Sequence, residues 1–379
     1  MLVLVVNCGS SSVKYQLFDM PKKISVAKGS IERIGEARSL LSHKSQKRDT
    51  LHKTVTAKDH KRAMQILFDA LTCDSCGVLD RPDDIKAIGH RVVHGAEIFK
   101  NPALINKKVL KSIRGLSRLA PLHNPPSLAG IAGCISVLPE VKQVAVFDTA
   151  FHQTIPDKAF TYAIPYEYYK KYRIRRYGFH GTSHKYVATE AARVLKRPLS
   201  RLKLVTCHLG NGCSVAAVEK GKSVDTSMGF TPLEGLAMGT RSGDIDPAIV
   251  KFLVEKERIP VSKVIEILNK KSGLTGLSGI GNDMRDILKA KDRGDNRARL
   301  AIDVFVYRIK KYIGAYAAAM DGLDAVIFTA GIGENQGRIR QMVAGGIRGL
   351  LKKFKTRILV IPTNEELMIA EETYGLLKR

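Results

Sequence analysis

Three short segments rich in glycine and small polar residues carry the first chemistry. Residues 7–14 read NCGSSSVK, residues 209–214 read LGNGCS and residues 329–335 read TAGIGEN. A residue without Cβ lets backbone N–H groups approach an oxyanion closely, so such loops cradle phosphate. The first adds hydroxyls and the Lys14 cation. No G-x-x-x-x-G-K-[ST] occurs, and TAGIGEN lacks the third glycine of a dinucleotide loop. Each segment alone reads more readily as an ordinary tight turn. Three of them, each after an apolar strand, point to a nucleotide site.

A second group of loops concentrates histidine and arginine: GHRVVHG at 89–95, PLHNPP at 121–126, FDTAFHQ at 147–153, YGFHGTSH at 177–184 and MGTRSGDIDP at 238–247. Polar side chains in glycine- and proline-rich loops are poor core residues. Arg91 and Arg241 are the anion clamps, because a guanidinium fork matches carboxylate or phosphate oxygens. No H-E-x-x-H or comparable spacing is present, which argues against a zinc enzyme.

The elements that position these loops alternate strand and helix. Residues 2–6 form a buried strand, 7–12 a polar turn and 13–19 a second strand. The plan repeats at 203–208, 209–214 and 215–219, with Ser12 falling on Ser214. This is a faint internal duplication. Residues 325–328 form a later strand before TAGIGEN, and 336–351 read as one helix. Further helical stretches lie at 249–256, 261–270 and 297–319. Residues 121–126 and 273–281 read as loops from their Pro and Gly content. The pattern is α/β.

The chain has 379 residues, is 44% hydrophobic and 26% charged, and carries a net charge of +26 from 62 Lys plus Arg against 36 Asp plus Glu. Such a field attracts anions, and nucleic acid is the first suspect. The basic residues are scattered, however, and lack the interleaved aromatics of a single-strand binder. The longest apolar stretch is too short to span a membrane. The N-terminus has no basic n-region, so a cytoplasmic location is the default. Cys73 and Cys76 form a lone C-x-x-C, read as two reduced surface thiols rather than half a zinc site. Cys8 and Cys213 lie in the phosphate-type turns. There, N–H groups and cations lower a thiol pKa, or burial leaves both thiols inert.

Taken together, NCGSSSVKYQLFD, GHRVVHG, PLHNPP, FDTAFHQT, YGFHGTSH, HLGNGCS, GFTPLEGLAMGTRSGDIDP and PTNEEL resemble the acetate kinase family, in order and over nearly the whole chain. The resemblance implies the actin, sugar-kinase and Hsp70 superfamily: two related, duplicated α/β domains of the actin-like ATPase (ribonuclease H-like) fold, with the active site in an interdomain cleft. The N-terminal domain would cover 1–149, completed by a C-terminal helix at 366–379. The C-terminal domain would cover 150–365 and carry most of the nucleotide site.

The resemblance also implies roles. Asn7 and Glu365 would help hold Mg²⁺ or Mn²⁺, and Lys14 would lie at the ATP phosphates. His208, Leu209, Gly210, Asn211 and Gly212 would wrap those phosphates. Asp283, Met284 and Arg285, with Gly331, Ile332, Gly333, Glu334 and Asn335, would hold the adenosine end. Arg91 would hold the acyl substrate, and Asp148 is the active-site acid. His180 and Arg241 would stabilise the transition state, with His123 as an auxiliary polar residue. Val93, Leu122, Phe179 and Pro232 would form a small apolar wall. Departures from the family are Cys8 in place of a common Ala, a short segment between Asn335 and Pro362, and the high positive charge.

The implied reaction is reversible transfer of the ATP γ-phosphoryl group to acetate, giving acetyl phosphate and ADP, by a homodimer. Attack by the carboxylate would be in line. Acetate is already ionised at neutral pH, so Asp148 would orient Arg91 or the metal rather than take a proton. Water competes as a nucleophile, so the cleft would close before transfer. The rivals are a propionate kinase, a more distant butyrate kinase, a nucleic-acid-binding protein and a non-catalytic actin-like assembly protein. The loop setting of Arg91, His180 and Arg241 argues against the last two.

Overall fold

The computed structural model describes residues 1–46, 48–121 and 123–378, without the side chains of residues 48 and 49. The chain divides into two compact units, Met1–Ala150 with Asn364–Arg379, and Phe151–Thr363.

The first unit is built on strands β1 (Leu2–Cys8), β2 (Ser12–Asp19), β3 (Ile24–Glu32), β4 (Ser39–Ser45), β5 (Arg48–Val55), β6 (Ile85–Val92), β7 (Ala103–Leu104) and β8 (Lys142–Phe147). Among the described residues they form one sheet in the order β5-β4-β3-β2-β1-β6-β8-β7. β1, β6 and β8 are mutually parallel, and the pairs from β1–β2 through β4–β5 are antiparallel. β1 is apolar on both faces because both are covered. One face packs on helices His60–Thr72 and Asn124–Val137 through Leu4, Val6, Leu17, Met64, Leu67 and Cys134. The other packs on the C-terminal helix Glu365–Leu377 through Val3, Val5, Phe18 and Ile369. The Asp59 carboxylate caps the first of these helices, accepting from the Arg62 N–H at 2.8 Å.

The second unit repeats the plan with β9 (Lys203–Leu209), β10 (Cys213–Glu219), β11 (Lys222–Thr226), β12 (Ala325–Thr329) and β13 (Arg357–Val360), ordered β11-β10-β9-β12-β13. β9 pairs antiparallel with β10 and parallel with β12, as β1 does with β2 and β6. The duplication seen in the sequence is therefore a repeated sheet order. Residues 9–12 turn the first hairpin and 210–212 turn the second.

Helices Ala248–Glu257, Val261–Lys270 and Asn296–Ala319 fall where periodicity predicts them. Four segments differ. The expected loop at 273–281 contains the helix Gly273–Ser278. Its first N–H groups bind Met238 O and Gly239 O at 2.8 and 3.0 Å. Gly273 sits at φ +58, and a Cβ there would lie 2.1 Å from Met238 O, so its glycine serves close packing. PLHNPP runs into the helix Asn124–Val137, because proline is tolerated in a first turn. In TAGIGEN, Thr329 ends β12 and Ala330–Asn335 form a helix rather than an open turn. The expected helix at 336–351 is two, Gly337–Gly346 and Arg348–Lys353, broken after a Gly-Gly pair of low helix propensity. Among the described residues no helix is long and apolar enough to cross a membrane.

Candidate active site

In the first unit the parallel strands end side by side, the edge at which α/β sheets bind ligands. Asn7 is near the end of β1. Arg91 and Val92 close β6 in register with Val146 and Phe147 of β8, and Asp148 follows directly. Asp148, 1% exposed, accepts from Arg91 Nη2 at 2.6 Å and Nε at 3.0 Å. Arg91 Nη1 reaches Asn7 Oδ1 at 3.4 Å, and Nε lies 3.8 Å from Glu365 at the start of the C-terminal helix. Burial disfavours the Arg91 cation, but the carboxylates of Asp148 and Glu365 outweigh it and raise its pKa. Burial pushes the Glu365 carboxyl up to about 7; Arg91 opposes that shift and Asp148 adds to it. Lys14 pairs with Asn7 across the β1–β2 ladder.

These groups fit a hard divalent cation. The half-buried Glu365 carboxyl, whose charge burial and Asp148 disfavour, gains from a cation, and the Asn7 amide oxygen meets the same Arg91 guanidinium. Magnesium sites use one or two carboxylates and leave the other positions to water and phosphate. Among the described residues no cluster of three or more His, Cys, Asp or Glu forms a closed metal cage.

Half-buried Val93 follows β6 directly. Asn124 fixes this loop, its Oδ1 accepting from His94 N–H at 3.2 Å and its Nδ2 donating to His94 O at 3.1 Å. His123 precedes that helix, and its carbonyl accepts the Ser127 hydroxyl at 3.1 Å. Leu122 lies outside the described residues.

In the second unit, His180 is at the N-terminus of helix Gly181–Leu195 with left-handed backbone, φ 56. Its ring stacks on His208, centroids 4.1 Å apart. Its Nδ1 is 2.9 Å from Ser214 Oγ, which is also 2.8 Å from His184 Nε2; His184 Nδ1 meets Thr206 Oγ1 at 2.7 Å. Burial, with His152 and His208 nearby, holds His184 well below the usual imidazole range, so it is neutral. Ser183 Oγ contacts His208 Nδ1 at 2.9 Å. A Cβ on Gly212 would lie 3.3 Å from His180 Cε1 and 3.4 Å from Arg241 Nη1, which places both side chains against this glycine. Arg241 Nη1 donates to Pro232 O at 3.3 Å, and burial lowers the Arg241 pKa. Phe179 is 3% exposed and Pro232 half-buried.

A cavity of about 430 Å³ brings together Gly210, Asn211, Asp283, Met284, Arg285, Gly331, Ile332 and Asn335, with Asn282 and Gln336 in addition. Asn282 Nδ2 donates to Asn211 Oδ1 at 2.8 Å. Asp283 caps helix Met284–Asp292 and pairs with Arg285 at 2.5 Å; hydrogen bonds from Arg285 lower its carboxyl to about 2. Gly333 and Glu334 are not among the lining residues. The Glu334 carboxylate instead accepts from Ala330 N–H at 2.7 Å and Thr363 N–H at 3.1 Å. Leu209 is fully buried, so only its backbone is available to a ligand.

Cys8 and Cys213 are buried, and burial pushes each thiol up to about 12. They are inert packing residues, which removes the activated-thiol alternative. Cys76 is also buried and Cys73 half-buried, so the pair is not a simple surface dithiol. Sequence inspection missed His184, Ser214, Asn124, Asn282 and Gln336 as positioning or lining residues. The first three stand inside quoted motifs, which was the available signal.

The Acetokinase family model matches residues 2–371, and the chain belongs to that family. It is 54% identical to an acetate kinase of Halothermothrix orenii over 397 residues, covering all of both chains. It is equally identical to one of Thermoanaerobacter pseudethanolicus over 398 residues, covering 100% of this chain and 99% of the relative. Among solved structures, an acetate kinase of Porphyromonas gingivalis superposes with a TM-score of 0.94 at 42% identity, covering 99% of each chain. A propionate kinase of Francisella tularensis superposes at 0.91, also with 42% identity and 99% coverage of each. These full-length matches agree with the mixed α/β fold on two sheets described above.

Proposed function

We propose that this chain is an acetate kinase, transferring the ATP γ-phosphoryl group reversibly to acetate. The observation that carries the mechanism is the Arg91–Asp148 pair. Asp148 is buried and engaged with both Nε and Nη2 of the guanidinium, so it sets the cation and does not serve as a proton acceptor. That suits an acceptor that is already a carboxylate and needs no general base.

The obstacle is repulsion between two anions. Arg91 binds the acetate carboxylate, while Arg241 and His180 stabilise charge spread over the transferring phosphoryl oxygens. His180 is held for this by Ser214 and His184. Lys14 and the backbone of 208–212 take the phosphates, and the cavity lined by Asp283, Arg285, Ile332 and Asn335 takes the adenosine. Asn7 and Glu365 would hold Mg²⁺ or Mn²⁺, which supplies neutralisation of phosphate charge when bound. Val93, Phe179 and Pro232 shape the apolar end. A cytoplasmic homodimer completes the proposal, resting on family resemblance.

The curated relatives at 54% identity are acetate kinases, which favours acetate over propionate. The test is ³¹P NMR of the enzyme with MgATP and acetate. An acyl-phosphate resonance growing as ADP forms supports the proposal; ADP with only inorganic phosphate overturns it.

A further inference from the structure

The C-x-x-C motif at Cys73 and Cys76 has no part in phosphoryl transfer, yet its geometry is specific. Helix His60–Thr72 ends at Cys73, and the chain turns so that Cys76 N–H meets Cys73 O at 3.3 Å and Gly77 N–H meets it at 2.6 Å. Residues at the two ends of such a turn have Cα atoms within about 7 Å, and disulfides span about 4.4–6.8 Å. A Cβ on Gly77 would lie 2.6 Å from both Cys73 N and Cys73 O, so the turn depends on that glycine. The Cys76 side chain hydrogen-bonds Cys73 Sγ, and Ser75 Oγ lies 3.1 Å from the same sulfur. Behind the turn, His43 Nε2 donates to Cys76 O at 3.1 Å and the Tyr15 hydroxyl meets His43 Nδ1 at 2.6 Å, anchoring it to β4 and β2.

We propose that Cys73 and Cys76 form a redox-active dithiol that reduces low-molecular-weight disulfides, with half-exposed Cys73 attacking and buried Cys76 resolving. Hydrogen bonds from Cys76 and Ser75 bring the Cys73 thiol down to about 7, so much of it is thiolate at neutral pH. The Cys73 thiolate attacks one sulfur of the disulfide and expels the other half as a thiolate. Cys76 then loses its proton and attacks Cys73 Sγ, expelling the second half. Two protein thiols become one disulfide, and one small disulfide becomes two thiols, with two electrons transferred. Cys8, Cys134, Cys207 and Cys213 are buried with raised pKa values and serve as internal controls.

The experiment incubates the reduced full chain with oxidised glutathione and maps cysteine states by peptide mass spectrometry, with kinase activity as the check of folding. The wild type is expected to lose two hydrogens across Cys73 and Cys76 and release both glutathione halves. Cys76→Ser should accumulate glutathione on Cys73, and Cys73→Ser should react at neither position. Glutathione retained on wild-type Cys73 without ring closure overturns the proposal. So does Cys73→Ser reacting at Cys76 as fast as the wild type reacts.

Discussion

Asp148 Oδ2 accepts both Nε and Nη2 of Arg91, at 3.0 and 2.6 Å, from the adjacent parallel strand. The carboxylate is 1% exposed and the guanidinium side chain 23% exposed. In the proposed mechanism the buried carboxylate is the anchor and the more exposed guanidinium the working group. Arg91→Ala should lower kcat by about 10²-fold or more, as loss of a charge partner in the transition state does. Arg91→Lys should recover only part, lacking the planar fork. Because Asp148 acts through Arg91, Asp148→Asn should cost little more once Arg91 is gone. Steady-state kinetics of the double-variant cycle checks this; additive losses would show an independent role for Asp148.

The contact of Gly212 with His180 and Arg241 gives a second expectation. A methyl group at Gly212 would press on His180 Cε1 and Arg241 Nη1 at 3.3 and 3.4 Å. Gly212→Ala should lower kcat roughly tenfold, ~1.4 kcal/mol of barrier, with little change in melting temperature. Arg241→Ala should lose about 10²-fold or more. Near-normal turnover in Arg241→Ala would remove that residue from the mechanism.

Glu365 gives a pH signature. Its carboxyl rises from 4.5 to about 7 on folding, first through burial. Between those values the folded state binds more protons than the unfolded state, so this group's stabilising contribution is present below the window and lost as pH rises through it. The metal-free wild type should therefore lose stability relative to Glu365→Gln from pH 4.5 to 7. Denaturant titrations of both proteins across that range measure the difference, and parallel curves would contradict it.

Val93, half-buried and two residues from Arg91, bears on substrate size. An added methylene gains only about 0.8 kcal/mol on burial, and that gain favours propionate. Preference for acetate must then be steric. Val93→Ala should lower the propionate KM and leave acetate turnover largely intact. An unchanged propionate KM would move the size filter elsewhere.

The sheet order was legible because each unit opens on an apolar strand followed by a glycine turn and a second strand, at Leu2 and again at Lys203. Arg91, His180 and Arg241 stood out by residue type, but the loop expected around Arg91 is the end of strand β6, and His180 is the N-cap of a helix, because the flanking glycines did not reveal the strand pairing with β8. The helix Gly273–Ser278 was not legible, since Gly273 answers to the Met238 carbonyl, a contact distant in sequence. That the Glu334 carboxylate accepts from Thr363 N–H rather than lining the cavity is a contact local sequence cannot reveal. The inertness of Cys8 and Cys213 follows from burial, which turn composition does not report.

The most direct test of the central claim is kcat/KM for acetate and for propionate, measured as acyl phosphate formed from MgATP and trapped as the hydroxamate. The account predicts a higher value for acetate, with propionate accepted weakly. A higher value for propionate would contradict it and make the chain a propionate kinase of the same family.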